Sequence, residues 1–302
     1  MACASSARGL CSPVVNVAST TASIRCHQLS KIVAPLRSAR SPALQGQPLR
    51  LHSGRRQRLG AIILHAQWGA EVAFTDAKIL ETGKAADNLH RCLVDIGSLA
   101  SDYTTPGQFL QAKIAADGKA GFFAIASAPD SNNAGVVELL IKPNGEAAEA
   151  ICAATEGAIV KVSPVMGKGF LIDRIPADSF KRVYLFATGS GISPIKALIE
   201  SGKLNASARD QVTLYYGTRT PAAMAFENKL SHWEQEFGVK VVPVYSQEGQ
   251  GYVQDMFLSQ GGVVGGSEGV AAVLCGQKGM AEAVTEALTA AGVAKEHILM
   301  NF

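Results

Sequence analysis

The sequence predicts an antiparallel β-barrel in the N-terminal half and a doubly wound α/β domain with a parallel sheet in the C-terminal half. From Glu71 to about Asp178, short apolar runs are separated by Gly, Pro, Asn and Asp, which is typical of an antiparallel barrel or sandwich. After Phe180, fully apolar strands alternate with helical segments. That alternation is typical of a parallel sheet with helices on both faces. A chain of 302 residues is long enough for about two such domains.

The first half contains five apolar runs that we predict to be barrel strands. They are Cys92–Val94, Phe109–Ile114, Phe122–Ala126, Val136–Lys142 and Ala158–Val162. One helix is predicted between them, from Glu146 to Thr155, because a Pro-Asn-Gly turn precedes a segment with helical spacing.

The second half contains five predicted strands and four predicted helices. The strands are Val183–Ala187, Val212–Tyr216, Val239–Tyr245, Val270–Cys275 and His297–Met300. The helices are a segment ending at Ile199, Ala222–Phe237, Val253–Leu258 and Met280–Ala291. Each helix stands between two strands, as right-handed parallel crossovers require.

Residues 1–66 have the composition of an organelle transit peptide. The first 70 residues contain eight Arg and one Lys but no Asp or Glu, so the net charge of +3 becomes about −6 for the rest. Such a segment is too cationic to bury a core and is expected to stay disordered. The alternative is a basic arm that binds nucleic acid. We favour targeting, with no nucleic-acid partner, because globular patterning begins only after this segment.

The opening Met-Ala-Cys-Ala-Ser-Ser is more similar to chloroplast than to mitochondrial presequences. We therefore expect a chloroplast (stroma) protein that is cleaved near Ala66. Among the six cysteines, Cys92, Cys152 and Cys275 lie beyond this segment and have no CxxC spacing. Neither a disulfide framework nor a metal site is predicted, and no apolar run approaches the ~18 residues of a membrane span.

The segment Val183–Pro194 carries the strongest functional signal. A strand ends at Ala187, Gly189 and Gly191 make a tight turn, and Pro194 stands in the first helical turn, where a missing N–H costs nothing. Glycines allow a ligand to approach the backbone, and a helix N-terminus offers free N–H groups. The segment therefore predicts a pyrophosphate site made of residues Thr188, Gly189, Ser190, Gly191, Ser193 and Pro194. The hydroxyl groups of Thr188 and Ser193 are predicted to be extra hydrogen-bond donors.

This segment resembles the Gly-Thr-Gly-Ile-Ser-Pro signature of the ferredoxin–NADP⁺ reductase superfamily. Tyr215–Thr220 is similar to the strand and loop that lie beside the adenosine in that family. Leu274–Met280 is similar to its Cys-Gly-Pro-x-x-Met nicotinamide loop, with Gln277 in place of Pro. The similarity covers essentially all of 181–302, and the chain looks most like the plant plastid, fruit-protein-like branch of FAD/NAD(P)-binding oxidoreductases.

The resemblance implies two domains after residue 66 and several site residues. Residues 67–178 would be a flavin-binding type of barrel, and residues 179–302 an NAD(P)-binding α/β domain. Cys275 and Gly276 would lie beside the nicotinamide, with Cys275 in a catalytic position. Phe302 matches the terminal aromatic that covers the flavin and is displaced when nicotinamide enters. The alternative for Cys275 is a buried cysteine at a strand end without a role in catalysis. The alternative for Phe302 is a C-terminal residue that only anchors the chain in the core.

The barrel half retains the family's flavin motif only in part. Where the family has Arg-x-Tyr-Ser before Ile-Ala-Ser, this chain has Gly121, Phe122, Phe123 and Ala124 before Ile125–Ser127. The resemblance implies contacts from residues Phe123, Ala124, Ile125, Ala126, Ser127 and Gly145. The second flavin motif also lacks its hydroxyl, at Ala148.

Losing a charge-assisted phosphate contact costs about 1.5–3 kcal/mol, which is at least tenfold in affinity. We therefore expect FAD to bind weakly, with Lys142 as a candidate replacement for the missing Arg.

The preference between NADP and NAD stays open at this stage. Ser246, Tyr252 and Gln254 match the NADPH-binding pattern, whereas Gln247 replaces its Arg and Glu248 would repel a 2′-phosphate. Arg219 is the nearby cation that could compensate. Retention of Tyr252 and Gln254 favours NADPH.

These observations predict an NAD(P)H oxidoreductase that transfers electrons through FAD to a separate acceptor. The acceptor would be a small molecule or a small protein. Ferredoxin is not favoured, because a net charge near −6 would not steer an acidic partner. The alternative is a non-catalytic nicotinamide-nucleotide-binding or redox-sensing protein with a degenerate flavin site, which Gly121, Ala124 and Ala148 favour.

Overall fold

The computed structural model describes residues 72–129 and 135–301. The transit peptide predicted for residues 1–66 lies outside the described residues, and so does Phe302. Within the described ranges no helix has the length and apolar character needed to cross a bilayer.

The N-terminal half forms a six-stranded sheet in which every pairing is antiparallel. Its order is β4-β3-β6-β1-β2-β5. The strands are β1 Thr75–Ala86, β2 Leu89–Asp95, β3 Phe109–Lys113, β4 Gly121–Ala124, β5 Val136–Ile141 and β6 Ile159–Val162. A single helix, α1, runs from Glu146 to Ala153, close to the predicted position.

The two edges of this sheet meet just beyond β4. Ile125 forms an antiparallel bridge with Leu139 of β5, and the backbone N–H of Ala126 donates to the carbonyl of Glu138 at 2.7 Å. The sheet is thereby closed into a barrel, as the sequence predicted. Its interior is filled by alternating apolar side chains such as Ile79, Leu110 and Ile125.

The longest strand of the barrel, β1, was not among the predicted strands. Only three of its twelve residues are buried apolar side chains, namely Ala77, Ile79 and Ala86. The remaining positions are polar or partly exposed, so the segment shows no apolar run. Its pairing with β2 and β6 defines it as a strand.

The C-terminal half is a five-stranded parallel sheet of order β11-β10-β7-β8-β9. The strands are β7 Arg182–Thr188, β8 Gln211–Thr218, β9 Lys240–Tyr245, β10 Val270–Cys275 and β11 Ile298–Met300. The helices are α2 Ile192–Glu200, α3 Leu230–Phe237, α4 Val253–Ser259 and α5 Lys278–Ala290. Short 3₁₀ turns occupy 97–102, 172–174, 189–191, 206–208, 221–223, 227–229, 246–248 and 295–297.

The helices cover both faces of the parallel sheet. One apolar cluster joins α2 and Trp233 of α3 to Leu185 and Leu214. A second joins α4 and α5 to the alternate residues of the same strands, such as Phe186. Because helices cover both faces, both sets of side chains on each strand are buried, which explains the continuous apolar runs in the sequence. The arrangement confirms the predicted doubly wound domain.

The helix predicted for Ala222–Phe237 begins only at Leu230. Two 3₁₀ turns precede it, and Phe226 between them has a φ of +61°. Phe226 is nevertheless buried in the core beneath α2. Burial of this ring outweighs the local helical spacing, so the prediction was wrong for the first half of the segment.

Candidate active site

A cleft of about 810 Å³ opens between the barrel and the carboxyl edge of the parallel sheet. The barrel contributes mainly apolar side chains and the start of α1: Phe109, Phe122, Phe123, Leu140, Lys142 and Gly145. The sheet contributes the turn after β7 and the ends of β10 and β11: Thr188, Gly189, Ser190, Gly191, Cys275 and Asn301. The carboxyl edge is where open parallel sheets bind ligands.

A second cavity of about 440 Å³ continues from the first. Five residues line both cavities: Lys142, Thr188, Gly189, Ser190 and Gln277. The turn after β7 therefore lies at the junction of two compartments. This arrangement suits a dinucleotide, which has its pyrophosphate in the middle and one large group at each end.

The two glycines of this turn serve different purposes. Gly189 has a φ of +54°, and a Cβ added to it would meet no atom within 4 Å, so its backbone faces open space at the junction. Gly191 has an ordinary helical φ of −62°. A Cβ on Gly191 would lie 2.3 Å from the carbonyl oxygen of Cys275. Only glycine allows the turn to pack against the end of β10.

The hydroxyl groups of the turn are used within the protein. Oγ1 of Thr188 accepts a hydrogen bond from the backbone N–H of Gln277 at 2.9 Å. Oγ of Ser193 donates to the carbonyl of Ser190 at 2.9 Å, and Ser193 is buried. The sequence predicted that both hydroxyls would serve as ligand donors. Ser193 lines the cleft while its hydroxyl stabilises the turn, and Thr188 still has a proton to donate, so the role of both hydroxyls as ligand donors stays a prediction.

The barrel wall of the cleft shows how the flavin motif has changed. Phe123 lines the cleft but is only 8% exposed. Its ring lies so close to Gly121 that a Cβ at residue 121 would be 2.8 Å from Cζ of Phe123. The absence of a side chain at Gly121 thus allows Phe123 to fold inward. Phe122 is 67% exposed at the cleft and packs edge-on to Phe109.

Only some of the residues predicted to contact the flavin line the cleft. Ala124 and Gly145 line the cleft. Ile125 is fully buried in the barrel core, and Ala126 is also fully buried. Ser127 accepts a hydrogen bond from the N–H of Glu138 through Oγ at 3.0 Å. Residues 125–127 close the barrel and do not line the cleft, so the structure does not bring them together with the other predicted contacts.

Cys275 and Gly276 line the cleft where β10 ends. Burial raises the pKa of the Cys275 thiol to about 12, so the sulfur is a neutral S–H at physiological pH. Gly276 packs against Thr188, and a Cβ there would lie 2.1 Å from Oγ1 of Thr188. Phe302, the other predicted catalytic residue, is outside the described residues.

The smaller cavity contains most of the residues predicted to bind the adenosine end. Arg219, Ser246 and Tyr252 line it, whereas Glu248 does not. Tyr252 is 63% exposed, so its ring is available for stacking. Gln254 does not line this cavity, and its Oε1 atom is buried without a hydrogen-bond partner in residues 72–129 and 135–301.

Asn301 lines the main cleft and was not identified from the sequence. It is 8% exposed, and its Nδ2 donates to the carbonyl of Gly107 at 3.3 Å. Its Oδ1 has no hydrogen-bond partner within the part of the chain that the structure describes. The sequence does contain an indication of this residue, because Asn301 is a polar residue directly after the last parallel strand, at the edge where such sheets bind ligands.

A third cavity, of about 820 Å³, lies between α2 and the barrel and contains a buried ion-pair network. The ammonium of Lys196 contacts Oε2 of Glu138 and Oε2 of Glu200, each at 2.7 Å, and donates to the carbonyl of Ala126 at 3.1 Å. Glu138 also pairs with Arg91. These opposite charges neutralise one another, so the network joins the two halves of the molecule and offers no free charge to a ligand.

Comparison with known proteins gives a family for this arrangement. Residues 185–286 match the model of the oxidoreductase NAD-binding domain. Fruit protein pKIWI502 of Actinidia deliciosa is 31% identical over 234 residues, which cover 72% of this chain and 73% of that protein. The chain belongs to the ferredoxin–NADP⁺ reductase-like superfamily. This membership confirms the family that the sequence motifs predicted.

Two further comparisons, one with a relative in sequence and one with a solved structure, agree with this membership. The electron transfer subunit of dihydroorotate dehydrogenase B (NAD⁺) from Listeria welshimeri is 27% identical over 70% of this chain and 77% of that subunit. A ferredoxin NADP⁺ reductase from Neisseria gonorrhoeae, solved with bound FAD and NADP, superposes with a TM-score of 0.64. That likeness covers 76% of this chain and 98% of the reductase at 19% identity, and it concerns the fold.

Proposed function

We propose that this member of the superfamily is an FAD-dependent oxidoreductase that takes electrons from NADPH and passes them to a separate acceptor. The observation that carries the proposal is the position of the turn after β7, at the junction of two contiguous cavities. We assign the flavin and the nicotinamide to the larger cavity and the adenosine to the smaller one.

The residues present are compatible with FAD in the main cleft. A Cβ on Gly145, at the start of α1, would meet no atom within 4 Å, so there is space for a phosphate at this helix start, where it would replace Oε1 of Glu149 as the acceptor of the Gly145 N–H. Lys142 lies at the junction of the cavities and is exposed, which supplies a cation in place of the missing Arg. Phe123 and Phe122 provide apolar surface for a ring system.

Hydride transfer between nicotinamide and flavin is the chemistry that the two cofactors supply when bound. The N–H groups of the turn from Thr188 to Gly191 would hold the pyrophosphate of the nicotinamide nucleotide. Phe122, Phe123 and Leu140 exclude water from the cleft. The neutral thiol of Cys275 adds no charge beside the nicotinamide ring.

The adenosine cavity favours NADPH over NADH. Arg219 lines this cavity together with Ser246, while Glu248 lies outside it. Asp87 also lines the cavity, but its carboxylate is paired with Lys84 at 2.6 Å, so it opposes a 2′-phosphate less than a free carboxylate would. We propose Arg219 as the principal contact for that phosphate.

The proposed acceptor is a small molecule or small protein other than an acidic ferredoxin, since residues 71–302 carry a net charge near −6. We also propose that the protein acts in the chloroplast stroma, on the basis of the acid-free, Arg-rich composition of residues 1–66. Fusion of residues 1–66 to a fluorescent protein tests this: fluorescence confined to plastids supports it, and fluorescence in another compartment contradicts it.

The activity is tested by the visible absorption spectrum of the purified protein, recorded without oxygen before and after addition of NADPH or NADH. We expect a flavin band, present on purification or after addition of FAD, that bleaches faster with NADPH. The R219A variant should lose the preference for NADPH and keep its rate with NADH. A protein that takes up no FAD would contradict the proposal and would favour the alternative of a nucleotide-binding or redox-sensing protein.

A further inference from the structure

Asn301 combines two properties that a purely structural residue would not have. It is more than nine-tenths buried, yet its Oδ1 atom has no hydrogen-bond partner among the described residues, and the residue lines the main cleft. Leaving a buried amide oxygen unpaired costs roughly 1–3 kcal/mol. A group that carries this cost while lining a cleft is suited to accept a hydrogen bond from a ligand.

The orientation of the amide is fixed by its other end. Nδ2 donates to the carbonyl of Gly107, and a carbonyl can accept only from a donor. Oδ1 must therefore be the free end. Gly107 also packs closely, because a Cβ there would lie 3.1 Å from Cβ of Asn301. The side chain is held in place before any ligand arrives.

Asn301 lies on the nucleotide-binding side of the cleft, at its nicotinamide end. Leu274 pairs with Met300 across β10 and β11, so the next residues along, Cys275 and Asn301, are neighbours at the carboxyl edge. The turn that follows β7 is two strands away from β11, a distance of roughly 10 Å at the spacing of neighbouring strands. One ribose and one pyridine ring span a comparable length.

We propose that Oδ1 of Asn301 accepts a hydrogen bond from the carboxamide NH₂ of the nicotinamide and thereby orients the ring in the cleft. The inference rests on the proposed function, since it requires a nicotinamide nucleotide in this cleft. The carboxamide is the polar donor of the nicotinamide ring. Oγ1 of Thr188 already accepts from Gln277 and Oγ of Ser193 donates to Ser190, whereas Oδ1 of Asn301 is buried without a partner among the described residues.

The test compares two oxidised nucleotides that differ only at this donor. NADP⁺ has the carboxamide, and its 3-acetylpyridine analogue retains the carbonyl but replaces NH₂ by a methyl group. Dissociation constants for both are measured by calorimetry on the full-length protein with FAD added. We expect the wild-type protein to bind NADP⁺ about five- to tenfold more tightly than the analogue, as one neutral hydrogen bond predicts.

The variant Asn301→Leu removes the acceptor and should bind the two nucleotides equally. The four dissociation constants then give the coupling free energy between Asn301 and the NH₂ group of the carboxamide. If this variant does not fold, Asn301→Ala provides the same comparison. Equal affinity of the wild-type protein for the two nucleotides would be enough to overturn the inference. Equal discrimination in wild type and variant would also overturn it.

The outcomes separate this inference from the proposed function. Failure of the wild-type protein to bind either nucleotide would overturn both. Binding of NADP⁺ and reduction of the flavin by NADPH, without discrimination at the carboxamide, would leave the oxidoreductase proposal intact and overturn only the role of Asn301.

Discussion

Lys196 and Glu138 form a buried ion pair, with Nζ of the lysine 2.7 Å from Oε2 of the glutamate. The lysine lies on α2, directly behind the phosphate-binding turn, and the glutamate lies on β5 of the barrel. This contact and the hydrogen bond from Lys196 to the carbonyl of Ala126 tie the turn to the wall that carries Phe123 and Ala124. The pair therefore sets the spacing between the two sides of the cleft.

We expect K196M to destabilise the protein by about 3 kcal/mol, because it leaves the carboxylate of Glu138 buried with one partner fewer. Arg91 remains paired with that carboxylate, which keeps the loss at the low end for a broken buried pair. The double variant K196M/E138M should lose less than the two single changes together, since each single change already removes the contact between these two charges. Urea unfolding of the four proteins measures this, and additive losses would show that the pair is not coupled.

A second prediction concerns acid stability and Glu200. Burial by itself would raise the pKa of this carboxyl, but the charge and hydrogen bond of Lys196 and the hydrogen bond from Trp233 outweigh it, so the pKa is lowered. Stability from this carboxylate is therefore fully present above its unfolded value of about 4.3 and is lost as the pH falls through the lower folded value.

The E200Q variant should be less stable than wild type at pH 7 and should show a flatter loss of stability below pH ~4.3. Thermal unfolding between neutral and acidic pH measures both effects. An unchanged pH profile in E200Q would mean that other carboxylates carry the acid sensitivity. Lys229, which also pairs with Glu200, is much more exposed and contributes less.

The close contact of Gly191 with the end of β10 predicts a strong effect of one methyl group. In G191A the new Cβ would lie 2.3 Å from the carbonyl oxygen of Cys275 and 2.7 Å from Cα of Gly276. The turn and the nicotinamide loop must then separate, so we expect loss of nucleotide binding by at least tenfold and a lower melting temperature.

Gly279 provides the matched control for that change. It lies within α5, and a Cβ there would meet no atom within 4 Å. G279A should stabilise the protein by about 0.5–1 kcal/mol, because alanine favours the helix over glycine. Nucleotide titrations and unfolding curves for both variants decide the matter, and equal behaviour of the two would refute the steric argument.

The three described cysteines should react slowly with alkylating reagents. Burial raises the pKa of Cys275 to about 12 and that of Cys152 to about 11, and it also raises the pKa of Cys92. Since the thiolate is the reactive form, we expect negligible labelling of these residues by iodoacetamide at pH 7.5 in the folded protein. Peptide mapping by mass spectrometry measures this. Rapid labelling of Cys275 would indicate that the end of β10 opens to solvent.

Lys142 is predicted to replace the arginine that the flavin motif lacks. Loss of one charge-assisted hydrogen bond costs about 1.5–3 kcal/mol, so K142A should weaken FAD binding by roughly tenfold or more. Lys240 is the control, because it is exposed at the start of β9 and lines none of the three cavities. Equal FAD affinities for K142A and K240A, from fluorescence titration, would exclude Lys142 as a phosphate contact.

The structure also changes how the substitution at residue 121 is understood. From the sequence, Gly121 is the position at which the arginine of the family motif is missing. In the structure Phe123 occupies the space beside Gly121, so an arginine side chain would require that ring to move. The two differences from the family motif belong together, which a linear comparison of motifs could not reveal.

The sequence by itself determined the barrel followed by a doubly wound domain, the glycine-containing turn after β7 and the family. These features depend on local periodicity and turn chemistry, which neighbouring residues specify. Only the tertiary structure decided that Ser193 bonds to its own turn, that residues 125–127 close the barrel, and that Asn301 meets Gly107 at the cleft. Asn301 and Gly107 are 194 residues apart in the chain. Whether a polar atom is free or satisfied depends on partners that the folded chain brings together, and no local pattern encodes them.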